Sequence, residues 1–416
     1  MNYLQNYILG HWQNPEGQTI EQYNAITGEL IALAGSEGLD YKAIYKYGRE
    51  VGGPALRRMT FPERGLILKA LALHLHKIKN KYYEISYWTG ATKTDSWIDI
   101  EGGIGNLFVY ASLRKQFQDA PFYVEGNAVN LSKDGSFIGH HLMVPKQGVA
   151  VHINAFNFPI WGMLEKIAVN LLAGVPAIVK PSEITSYLAE AMVRDIIASG
   201  ILPEGSLQFI GGKGIGILDP ATSQDVVTFT GSAATGLMLK KQKSIIENSV
   251  PYNMEADSLN AAILGKDVTP DMPEFGLFIK EIRKEMTVKA GQKCTAIRRI
   301  IVPENMVEPV RDALAQALDK TTIGNPTTEG VRMGALASQK QLESVRRQVV
   351  LLAEKNEIVY GNLEDVDVMG ADARKGAFLS PILLYNKMPL RVKSTHRIEA
   401  FGPVSTIMPY KKLEDA

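Results

Sequence analysis

The feature that most constrains the fold is a repeated alternation between short apolar runs and longer amphipathic runs across residues 149–242. The apolar runs are VAVHINAF, AIVK, LQFI and VVTFT, and helical periodicity occupies residues 160–173, 187–199 and 233–242. Short, nearly continuous apolar strands separated by helices are what a parallel sheet covered on both faces requires. The sequence therefore predicts an α/β fold with a Rossmann-type, doubly wound domain.

A second set of alternations begins near Tyr252 and predicts a second α/β domain. The chain has 416 residues, which exceeds the ~100 to 200 residues of a typical domain, so two or three domains are expected. The change in pattern places the boundary around residues 245–253. Residues 1–250 are then a cofactor-binding domain and residues 251–416 a catalytic domain.

Two local sequence patterns predict a helix and a hairpin within the first of these domains. Thr60-Phe61-Pro62-Glu63 has the form of a capping box and predicts a long amphipathic helix that begins there. Residues 121–149 alternate between apolar and polar side chains around several glycines, a pattern typical of a β-hairpin. We expect this hairpin to form an arm that serves an oligomer interface.

The nearly equal numbers of basic and acidic residues indicate no macromolecular partner. Basic and acidic side chains number 45 and 44, so the chain has no electrostatic footprint for nucleic acid or for an anionic membrane, and neither is expected to bind. Residues 147–164 are uncharged but contain His152, Asn154 and Pro159, which favours strand, turn and helix over a membrane span. The first residues lack the pattern of a secretion signal, so a cytoplasmic location is expected.

The chain has one cysteine, Cys294. A single cysteine excludes an internal disulfide framework and any all-cysteine zinc or iron-sulfur site. The seven histidines form no HExxH motif or comparable ligand cluster, so no metal is expected. The presence of Cys294 therefore needs an explanation of its own.

Cys294 is the candidate nucleophile. It lies in KAGQKCTAIRR, between an apparent helix and a strand, and Gly291 ahead of it would let the backbone approach a substrate. A thiol with an ordinary pKa of about 8.5 becomes a strong nucleophile when a polar, electropositive loop stabilises the thiolate. The alternative is a buried structural cysteine.

Asn157 and Glu255 are candidates for the other roles that thiol chemistry requires. Asn157, in HINAFNFPIW, follows an apolar strand, and its amide is a candidate donor to the oxyanion that forms when a thiolate attacks a carbonyl. Glu255, in NMEADSLN, is a candidate base for the water that hydrolyses a thioester. The alternatives are a helix-capping asparagine and a surface carboxylate.

The candidate phosphate-binding segment is FTGSAATG, where a strand ends at Gly231 and a helix begins. A glycine at the turn lets a diphosphate approach the backbone, and the helix N-terminus supplies N–H groups for it, with Ser232 and Gly236 in the same segment. The segment is neither GxGxxG nor Walker A, and GGKGIG lacks the spacing of both. An ordinary strand-to-helix turn is the alternative.

Two further pairs are candidates for holding the rest of a dinucleotide. Lys180 and Glu183, in AIVKPSE, stand where an adenosine ribose lies in a doubly wound domain, with a solvated ion pair as the alternative. Glu399 and Phe401, in IEAFGP, are candidates for the nicotinamide ribose and ring. A capping glutamate and a core phenylalanine would look the same in the sequence.

Taken in order, FNFP, KPSE, FTGS, Glu255, Cys294 and EAFGP resemble the aldehyde dehydrogenase superfamily over nearly the whole chain. More narrowly, HINAFNFPIWGMLEK, DVVTFTGSAATG, MEADSLNAAILG and KAGQKCTAIRRIIVP resemble the aldehyde dehydrogenase domain of bifunctional phenylacetate-degradation proteins of the PaaZ type. MEADSLN differs from the ELGG string of most superfamily members, which favours the narrower resemblance. A homo-oligomer with an aldehyde dehydrogenase-like fold is implied.

The resemblance also implies a division of roles. Cys294 attacks the aldehyde, Asn157 and the Cys294 backbone N–H hold the oxyanion, and Glu255 activates the water that releases the acid. The cofactor residues follow in the same way: Lys180 binds the adenosine ribose, Ser232 and the Gly231 turn hold the diphosphate, and Glu399 binds the nicotinamide ribose. The substrate implied is a CoA-linked semialdehyde from aromatic ring cleavage, 3-oxo-5,6-dehydrosuberyl-CoA semialdehyde in the relatives, oxidised with NADP.

The chain departs from this pattern in two respects. In the superfamily Glu183 is associated with NAD, because it repels a 2′-phosphate, whereas Lys180 offsets that charge, so NAD and NADP both stay open. The chain stops at Ala416, soon after FGP, so a truncated catalytic domain is expected, and ring-opening activity is not. Two rival functions also stay open: a CoA-acylating dehydrogenase, which Glu255 disfavours, and a catalytically silent module of the same fold.

Overall fold

The computed structural model describes residues 2–416, which form two compact units. The first unit comprises the chain up to Gln22 with Ala32–Tyr82 and Ile98–Ala256, and the second comprises Tyr23–Ile31, Tyr83–Trp97 and Asp257–Ala416. Sequence reasoning predicts one boundary near residue 250, whereas the structure also groups two short N-terminal segments with the C-terminal unit. The cofactor and catalytic roles of the two domains stay predictions.

The described chain alternates between strands and helices. The strands are β1 (Tyr3–Leu4), β2 (Asn6–Ile8), β3 (His11–Gln13), β4 (Ile20–Tyr23), β5 (Leu30–Ala34), β6 (Tyr123–Asn130), β7 (Ile138–Met143), β8 (Ala150–Ile153), β9 (Ala177–Lys180), β10 (Leu207–Phe209), β11 (Val226–Gly231), β12 (Tyr252–Ala256), β13 (Asn260–Ile263), β14 (Ile297–Pro303), β15 (Glu357–Tyr360), β16 (Ile382–Tyr385) and β17 (Val404–Tyr410). The helices are α1 (Tyr41–Tyr47), α2 (Gly53–Arg57), α3 (Phe61–Ile78), α4 (Asn80–Tyr87), α5 (Lys93–Ser112), α6 (Pro159–Leu172), α7 (Ser186–Ala198), α8 (Ala233–Lys240), α9 (Lys243–Glu247), α10 (Pro273–Thr287), α11 (Val307–Asp319) and α12 (Gln339–Ala353).

The large sheet of the first unit has the strand order β12-β11-β8-β9-β10-β2-β3. Neighbouring strands from β12 to β10 pair in parallel, and β2 and β3 extend the sheet in antiparallel fashion. The chain builds outward from β8 to β9 and β10, and then returns to place β11 on the other side of β8. This is the doubly wound arrangement that the sequence predicts.

Helices cover both faces of this sheet. Successive side chains of a strand point to opposite faces, and on β8 Val151 and Ile153 join a buried cluster with Ile44 of α1 and Leu239 of α8. His152, between them, faces the other way, and its Nε2 forms a 2.7 Å hydrogen bond with the Asn170 side chain of α6. The nearly continuous apolar character of β8 follows from this double coverage.

The two local predictions for the first unit are confirmed as structure. Thr60 caps α3 and accepts a hydrogen bond from the Glu63 N–H, while the Glu63 carboxylate accepts from the Thr60 N–H at 2.7 Å. Strands β6 and β7 form the antiparallel hairpin, with Val129 opposite Gly139. Most of the hairpin side chains are exposed, including several large apolar ones: Val129, Leu131, Phe137, Ile138, Leu142 and Met143.

The sheet of the second unit has the strand order β13-β14-β17-β16-β15. Strands β13, β14, β17 and β16 are parallel, and β15 is antiparallel to β16. Leu383 of β16 packs in one buried cluster with α10 and α11, and its neighbours Ile382 and Leu384 pack in another with α12. The second α/β domain is therefore also covered on both faces.

None of the helices in residues 2–416 has the length and apolar character that crossing a bilayer requires.

Candidate functional site

In the first unit, candidate residues follow the carboxyl ends of the central parallel strands. Asn157 comes shortly after β8, Lys180 ends β9, and Ser232 follows β11. Strand β8 lies between β9 and β11, at the point where the chain reverses the direction in which it builds the sheet. Open α/β sheets bind ligands in the crevice at the carboxyl ends of strands at such a switch point.

Lys180 and Glu183 form an ion pair, the contact that the sequence leaves as the alternative to a ribose site, but the Lys180 side chain is buried. Lys180 is 6% exposed, and its Nζ donates to Glu183 Oε2 at 3.2 Å. Gly214 of the GGKGIG segment lies beside the aliphatic part of Lys180, where an added Cβ would be 3.3 Å from Lys180 Cγ and Cε. The ammonium is therefore held at the strand end, and the pair combines a donor and an acceptor suited to ribose hydroxyls.

The segment after β11 has the predicted strand, glycine and helix order. Gly231 ends the strand and Ser232 is the N-cap of α8, where its Oγ accepts from the Thr235 N–H at 3.4 Å. Gly236 is buried, and a Cβ there would be 2.6 Å from Met254 Sδ of β12, so this glycine allows the helix to approach the sheet. The N-terminal N–H groups of a helix in this position can receive a diphosphate.

Asn157 is nearly buried at the start of α6, with 9% of its surface exposed. The N-cap residue of α6 is Phe158, and this cap has no side-chain hydrogen bond. Asn157 therefore lies one residue before the N-cap position of α6. The segment is fixed one residue earlier, where Thr185 Oγ1 donates to the Phe156 carbonyl at 3.0 Å.

Glu255 lies inside β12, directly opposite Thr230 of β11. The sequence does not indicate this strand. It lies at the edge of the sheet, where its side chains are half-buried or exposed, and such a strand needs few apolar residues. Thr230 Oγ1 donates to Glu255 Oε2 at 3.4 Å, and the Glu255 side chain is exposed. The carboxylate is thus accessible to water, and is less shielded than the sequence argument for a base supposes.

In the second unit, two candidate residues and one residue that the sequence did not single out precede the amino ends of parallel strands. Ser258 comes just before β13, Cys294 before β14, and Glu399 before β17. Because these strands are parallel neighbours, their amino ends share one edge of the sheet. The structure brings the three residues together there: Ser258 Oγ donates to the Cys294 carbonyl, and the Ser258 N–H donates to Glu399 Oε2 at 3.3 Å.

Cys294 itself is exposed, so the alternative of a buried structural cysteine is wrong. Its carbonyl accepts a second hydrogen bond, from Asn260 Nδ2 at 2.7 Å. Two side chains of MEADSLN therefore fix the peptide that follows the thiol-bearing residue. Sequence reasoning missed Ser258 and Asn260, and the only signal for them was that MEADSLN carries polar residues just before and at the start of β13.

Arg298 connects the Cys294 loop to the IEAFGP segment. It is 5% exposed, its Nη2 donates to the Gly291 carbonyl at 2.7 Å, and its Nη1 donates to the Gly402 carbonyl at 2.6 Å. The guanidinium carbon lies 5.6 Å from the centre of the Phe401 ring. A charged side chain inside the apolar strand IRRIIVP was the signal for this missed residue.

Arg298 and Glu399 form a buried pair whose closest atoms are 4.0 Å apart. Burial lowers the pKa of Arg298 to about 10, and the neighbouring carboxylate opposes that shift. Burial raises the pKa of Glu399, and the Arg298 charge opposes it in turn. Glu399 is therefore held in place within the second unit by Arg298 and Ser258.

The backbone just before Cys294 is left-handed over three consecutive residues. Lys289, Ala290 and Gly291 have φ values of +53°, +49° and +67°. A Cβ at Gly291 would lie 2.2 Å from the Gly402 carbonyl oxygen. The glycine is thus required for close approach of two backbone segments within this unit, which differs from the predicted approach to a substrate.

The donors gathered in each unit are amides, hydroxyls, an ammonium and a guanidinium, which suit an organic ligand. Within residues 2–416, no group of three or more His, Cys, Asp or Glu side chains is arranged to hold a metal ion. The residues that the structure brings together are Lys180 with Glu183 in the first unit, and Cys294 with Glu399, through Ser258, in the second.

Comparison with known proteins identifies one family along nearly the whole chain. A family model described as the aldehyde dehydrogenase family matches residues 12–416. The chain is 41% identical to the 3,4-dehydroadipyl-CoA semialdehyde dehydrogenase of Aromatoleum evansii over 414 residues, which cover 99% of this chain and 80% of that protein. It is 25% identical to aldehyde dehydrogenase B of Escherichia coli K12, over 99% of this chain and 78% of that protein.

Solved structures share the fold at lower identity. Betaine aldehyde dehydrogenase of Staphylococcus aureus in complex with NAD+ superposes with a TM-score of 0.86 at 22% identity, over 99% of this chain and 79% of that one. An aldehyde dehydrogenase of Bacillus cereus, also in an NAD+ complex, gives a TM-score of 0.84 at 22% identity, over 100% and 81% of the two chains. The predicted fold class is confirmed.

Proposed function

Because this chain belongs to the aldehyde dehydrogenase family, we propose that it oxidises a CoA-linked semialdehyde to the carboxylic acid in the degradation of aromatic compounds. The proposed hydride acceptor is NAD or NADP, and the proposed nucleophile is Cys294. The observation that carries the substrate proposal is the 41% identity to a protein named as a CoA-semialdehyde dehydrogenase. Its support in this chain is an exposed thiol on an immobilised loop.

The first chemical step belongs to Cys294. Its thiolate adds to the carbonyl carbon of the aldehyde, a carbon–sulfur bond forms, and the carbonyl oxygen becomes an oxyanion. We assign the Asn157 amide and the Cys294 N–H as donors to that oxyanion. One such donor typically contributes about 3 to 4 kcal/mol in the transition state. Two hydrogen bonds to the Cys294 carbonyl support this role, because they hold the reacting residue in one backbone conformation.

The side chains at the switch point fit a dinucleotide. Lys180 and Glu183 suit the hydroxyls of an adenosine ribose, and the Ser232-capped helix suits the diphosphate. In the second unit Glu399, held by Arg298, suits the other ribose. A nicotinamide held by these residues would accept the hydride that the sulfur adduct loses on becoming a thioester. The preference between NAD and NADP stays open.

The last step distinguishes hydrolysis from acyl transfer. We assign Glu255 as the base that takes a proton from water as the water attacks the thioester carbon, which releases the acid and returns the thiol. Its exposure and its hydrogen bond from Thr230 support access to water. A CoA-acylating enzyme would instead release an acyl-CoA, with free CoA as the attacking thiol.

The test is a steady-state assay with a six-carbon CoA semialdehyde, with each dinucleotide, in the presence and absence of free CoA. We expect reduced dinucleotide and free acid in equal amounts without added CoA. Cys294→Ala should lower kcat by at least about 1,000-fold while cofactor still binds. Glu255→Gln should accumulate acyl-enzyme that hydrolyses slowly.

Each rival function has its own signature in this assay. Turnover that requires free CoA and yields a second thioester would establish the acylating reaction. Dinucleotide binding without reduction, for the CoA semialdehyde and for simple aldehydes alike, would identify a silent module. A normal rate for Cys294→Ala would remove the nucleophile proposed above.

Two further predictions concern the setting of the enzyme. We propose a homo-oligomer, and the support is the β6–β7 hairpin, which carries large exposed apolar side chains such as Phe137 and Leu142. We also propose a cytoplasmic location, which is supported by the reducing environment that a lone thiol nucleophile needs. Both stay predictions.

A further inference from the structure

A buried charged group stands directly behind the loop that carries Cys294. Lys289 is 2% exposed, and Asp95, at the start of α5, is also 2% exposed. Both belong to the second unit, although 194 residues separate them along the chain. Side chains of these types are almost never fully buried unless they are paired, so their position calls for a specific role.

Asp95 accepts a hydrogen bond from the backbone of Lys289, and the Lys289 side chain bonds to a neighbouring residue of the same segment. Asp95 Oδ1 accepts from the Lys289 N–H at 2.8 Å, and Asp95 Oδ2 accepts from the Thr92 N–H at 2.9 Å. The Lys289 ammonium donates to Thr89 Oγ1 at 2.6 Å. Both the main chain and the side chain of Lys289 are thereby attached to the segment that contains Thr89, Thr92 and Asp95.

These contacts attach the chain at residues whose backbone conformation is unfavourable for any residue other than glycine. Lys289 and Ala290 carry a Cβ and still have φ values of +53° and +49°. Non-glycine residues in this region persist only where the surroundings enforce the conformation, and such residues cluster at functional sites. The Asp95 hydrogen bond is made by the N–H of the first residue in this left-handed run.

Hydrogen bonds attach the strained turn to Gln292, which lies two residues before Cys294. The Lys289 carbonyl accepts from the Gln292 N–H at 3.0 Å and from Gln292 Nε2 at 2.8 Å. Gln292 Oε1 in turn accepts from the Ala337 N–H at 3.0 Å. Residues 289–292 therefore form one fixed unit that ends two residues before Cys294.

We propose that Asp95 and Lys289 are positioning residues for the Cys294 nucleophile: together they hold residues 289–291 in the left-handed turn that sets the direction in which the thiol is presented. This inference rests on the proposed role of Cys294. Neither residue touches the reacting atoms. Their effect on turnover passes through the turn, so it should appear in kcat and in thiol reactivity more than in KM.

Three variants test the proposal. Lys289→Met removes the ammonium and keeps most of the side-chain volume. Asp95→Asn/Lys289→Met removes both charges and leaves no unpaired buried charge, so it is expected to fold even where the single variant does not. Lys289→Met/Ala290→Gly adds a residue that adopts positive φ without strain.

The readouts are kcat, KM and the pH profile of iodoacetamide alkylation of Cys294, all measured well below the unfolding temperature. We expect Lys289→Met and Asp95→Asn/Lys289→Met each to lower kcat at least about tenfold, with KM changed less than about threefold, because a nucleophile displaced by about 1 Å loses much of its rate. The alkylation rate should shift in parallel. Ala290→Gly should recover at least about threefold of kcat in the Lys289→Met background.

The matched control is Ser96→Ala, which removes the buried 2.9 Å hydrogen bond from Ser96 to Ser86, one residue from Asp95. It should lower the unfolding temperature without changing kcat or alkylation. The proposal is overturned if the double-charge variant folds with normal kcat and alkylation, or if Ala290→Gly gives no recovery. If alkylation of Cys294 leaves the wild-type enzyme active, the nucleophile assignment fails instead.

Discussion

The two units place their candidate residues at opposite ends of parallel strands. In the first unit these residues follow the carboxyl ends of β8, β9 and β11, where the chain passes into helices such as α6 and α8. In the second unit they precede the amino ends of β13, β14 and β17. At a carboxyl end, the following helix offers backbone N–H groups to a ligand. At an amino end, side chains must hold the loop.

The side chains that hold the loop of the second unit are charged and buried. Arg298 donates to two backbone carbonyls and faces Glu399, and Lys289 is attached through Asp95 and Thr89. A buried polar group of the first unit, His152 on β8, is neutral instead: it bonds to Thr228 and to Asn170, at 2.7 Å each. The difference implies that the Cys294 loop of the second unit depends on charge compensation, whereas the contact between β8 and α6 in the first unit depends on a neutral hydrogen-bond network.

The largest effect is expected at Arg298. Arg298→Met should destabilise the second unit by about 3 to 5 kcal/mol, because it leaves the Glu399 carboxylate buried without its cation and two carbonyls without their donor. Urea unfolding would measure the loss. The exposed pair of Arg347 and Glu343 on α12 provides the control, since Arg347→Met should change stability by less than about 1 kcal/mol.

A loss of stability below about 1 kcal/mol for Arg298→Met would show that the Cys294 loop does not depend on charge compensation. Arg298→Met/Glu399→Gln should recover part of the loss, because the second substitution removes the unpaired charge. If the double variant loses as much stability as Arg298→Met and Glu399→Gln lose in sum, the two side chains do not act as a pair.

An intermediate effect is expected from one glycine in each unit. Gly291 and Gly214 have nearly equal φ values, +67° and +65°. An added Cβ would lie 2.2 Å from the Gly402 carbonyl oxygen at the first, but 3.3 Å from the flexible Lys180 side chain at the second. Gly291→Ala should therefore cost about 2 to 4 kcal/mol and Gly214→Ala about 1 kcal/mol.

Thermal unfolding of the two alanine variants, beside the wild-type protein, would measure this difference. Equal losses would show that the backbone conformation alone accounts for both glycines, and that the contact between Gly291 and Gly402 adds nothing. A larger loss at Gly214 would contradict the idea that the amino-end loop of the second unit is the more tightly fixed of the two.

Most of the fold could be predicted from the sequence, because the local spacing of apolar residues indicates most of its helices and strands. The predicted helices at 160–173 and 187–199 match α6 and α7 to within one residue, and AIVK matches β9. Strands β2, β3 and β12 were not indicated, because they are short or lie at the edge of the sheet. Edge strands bury only part of their side chains, so their apolar signal is weak.

The site was less predictable, and the reason is sequence distance. Lys180 and Glu183 are three residues apart, so AIVKPSE already offers their ion pair as one of two interpretations. The contact of Asp95 with Lys289 spans 194 residues, and that of Arg298 with Gly402 spans 104. Such contacts depend on how elements pack, which a single sequence does not state, and they are the ones that hold the Cys294 loop.

The smallest effect, and the one that separates the two kinds of network, is the acid response of His152. Burial lowers its pKa from 6.5 to about 4, and nearby Lys166 lowers it further, while its hydrogen bond to Asn170 acts in the other direction. Below pH 6.5 the unfolded chain takes up a proton that the folded chain refuses, so stability is present above that pH and is lost as the pH falls towards 4. Between pH 7 and pH 5 the loss from this group should be about 2 kcal/mol.

Urea unfolding at both pH values would isolate the effect as the difference between the wild-type protein and His152→Gln, since the other titrating groups are common to both. Glutamine keeps a donor and an acceptor but does not titrate, so the variant should lose less stability on acidification. Identical pH dependence would mean that His152 is not held neutral. The guanidinium of Arg298, with a pKa of about 10, keeps its charge over this whole range, so acid should weaken the neutral network of the first unit while leaving the Arg298 charge of the second in place.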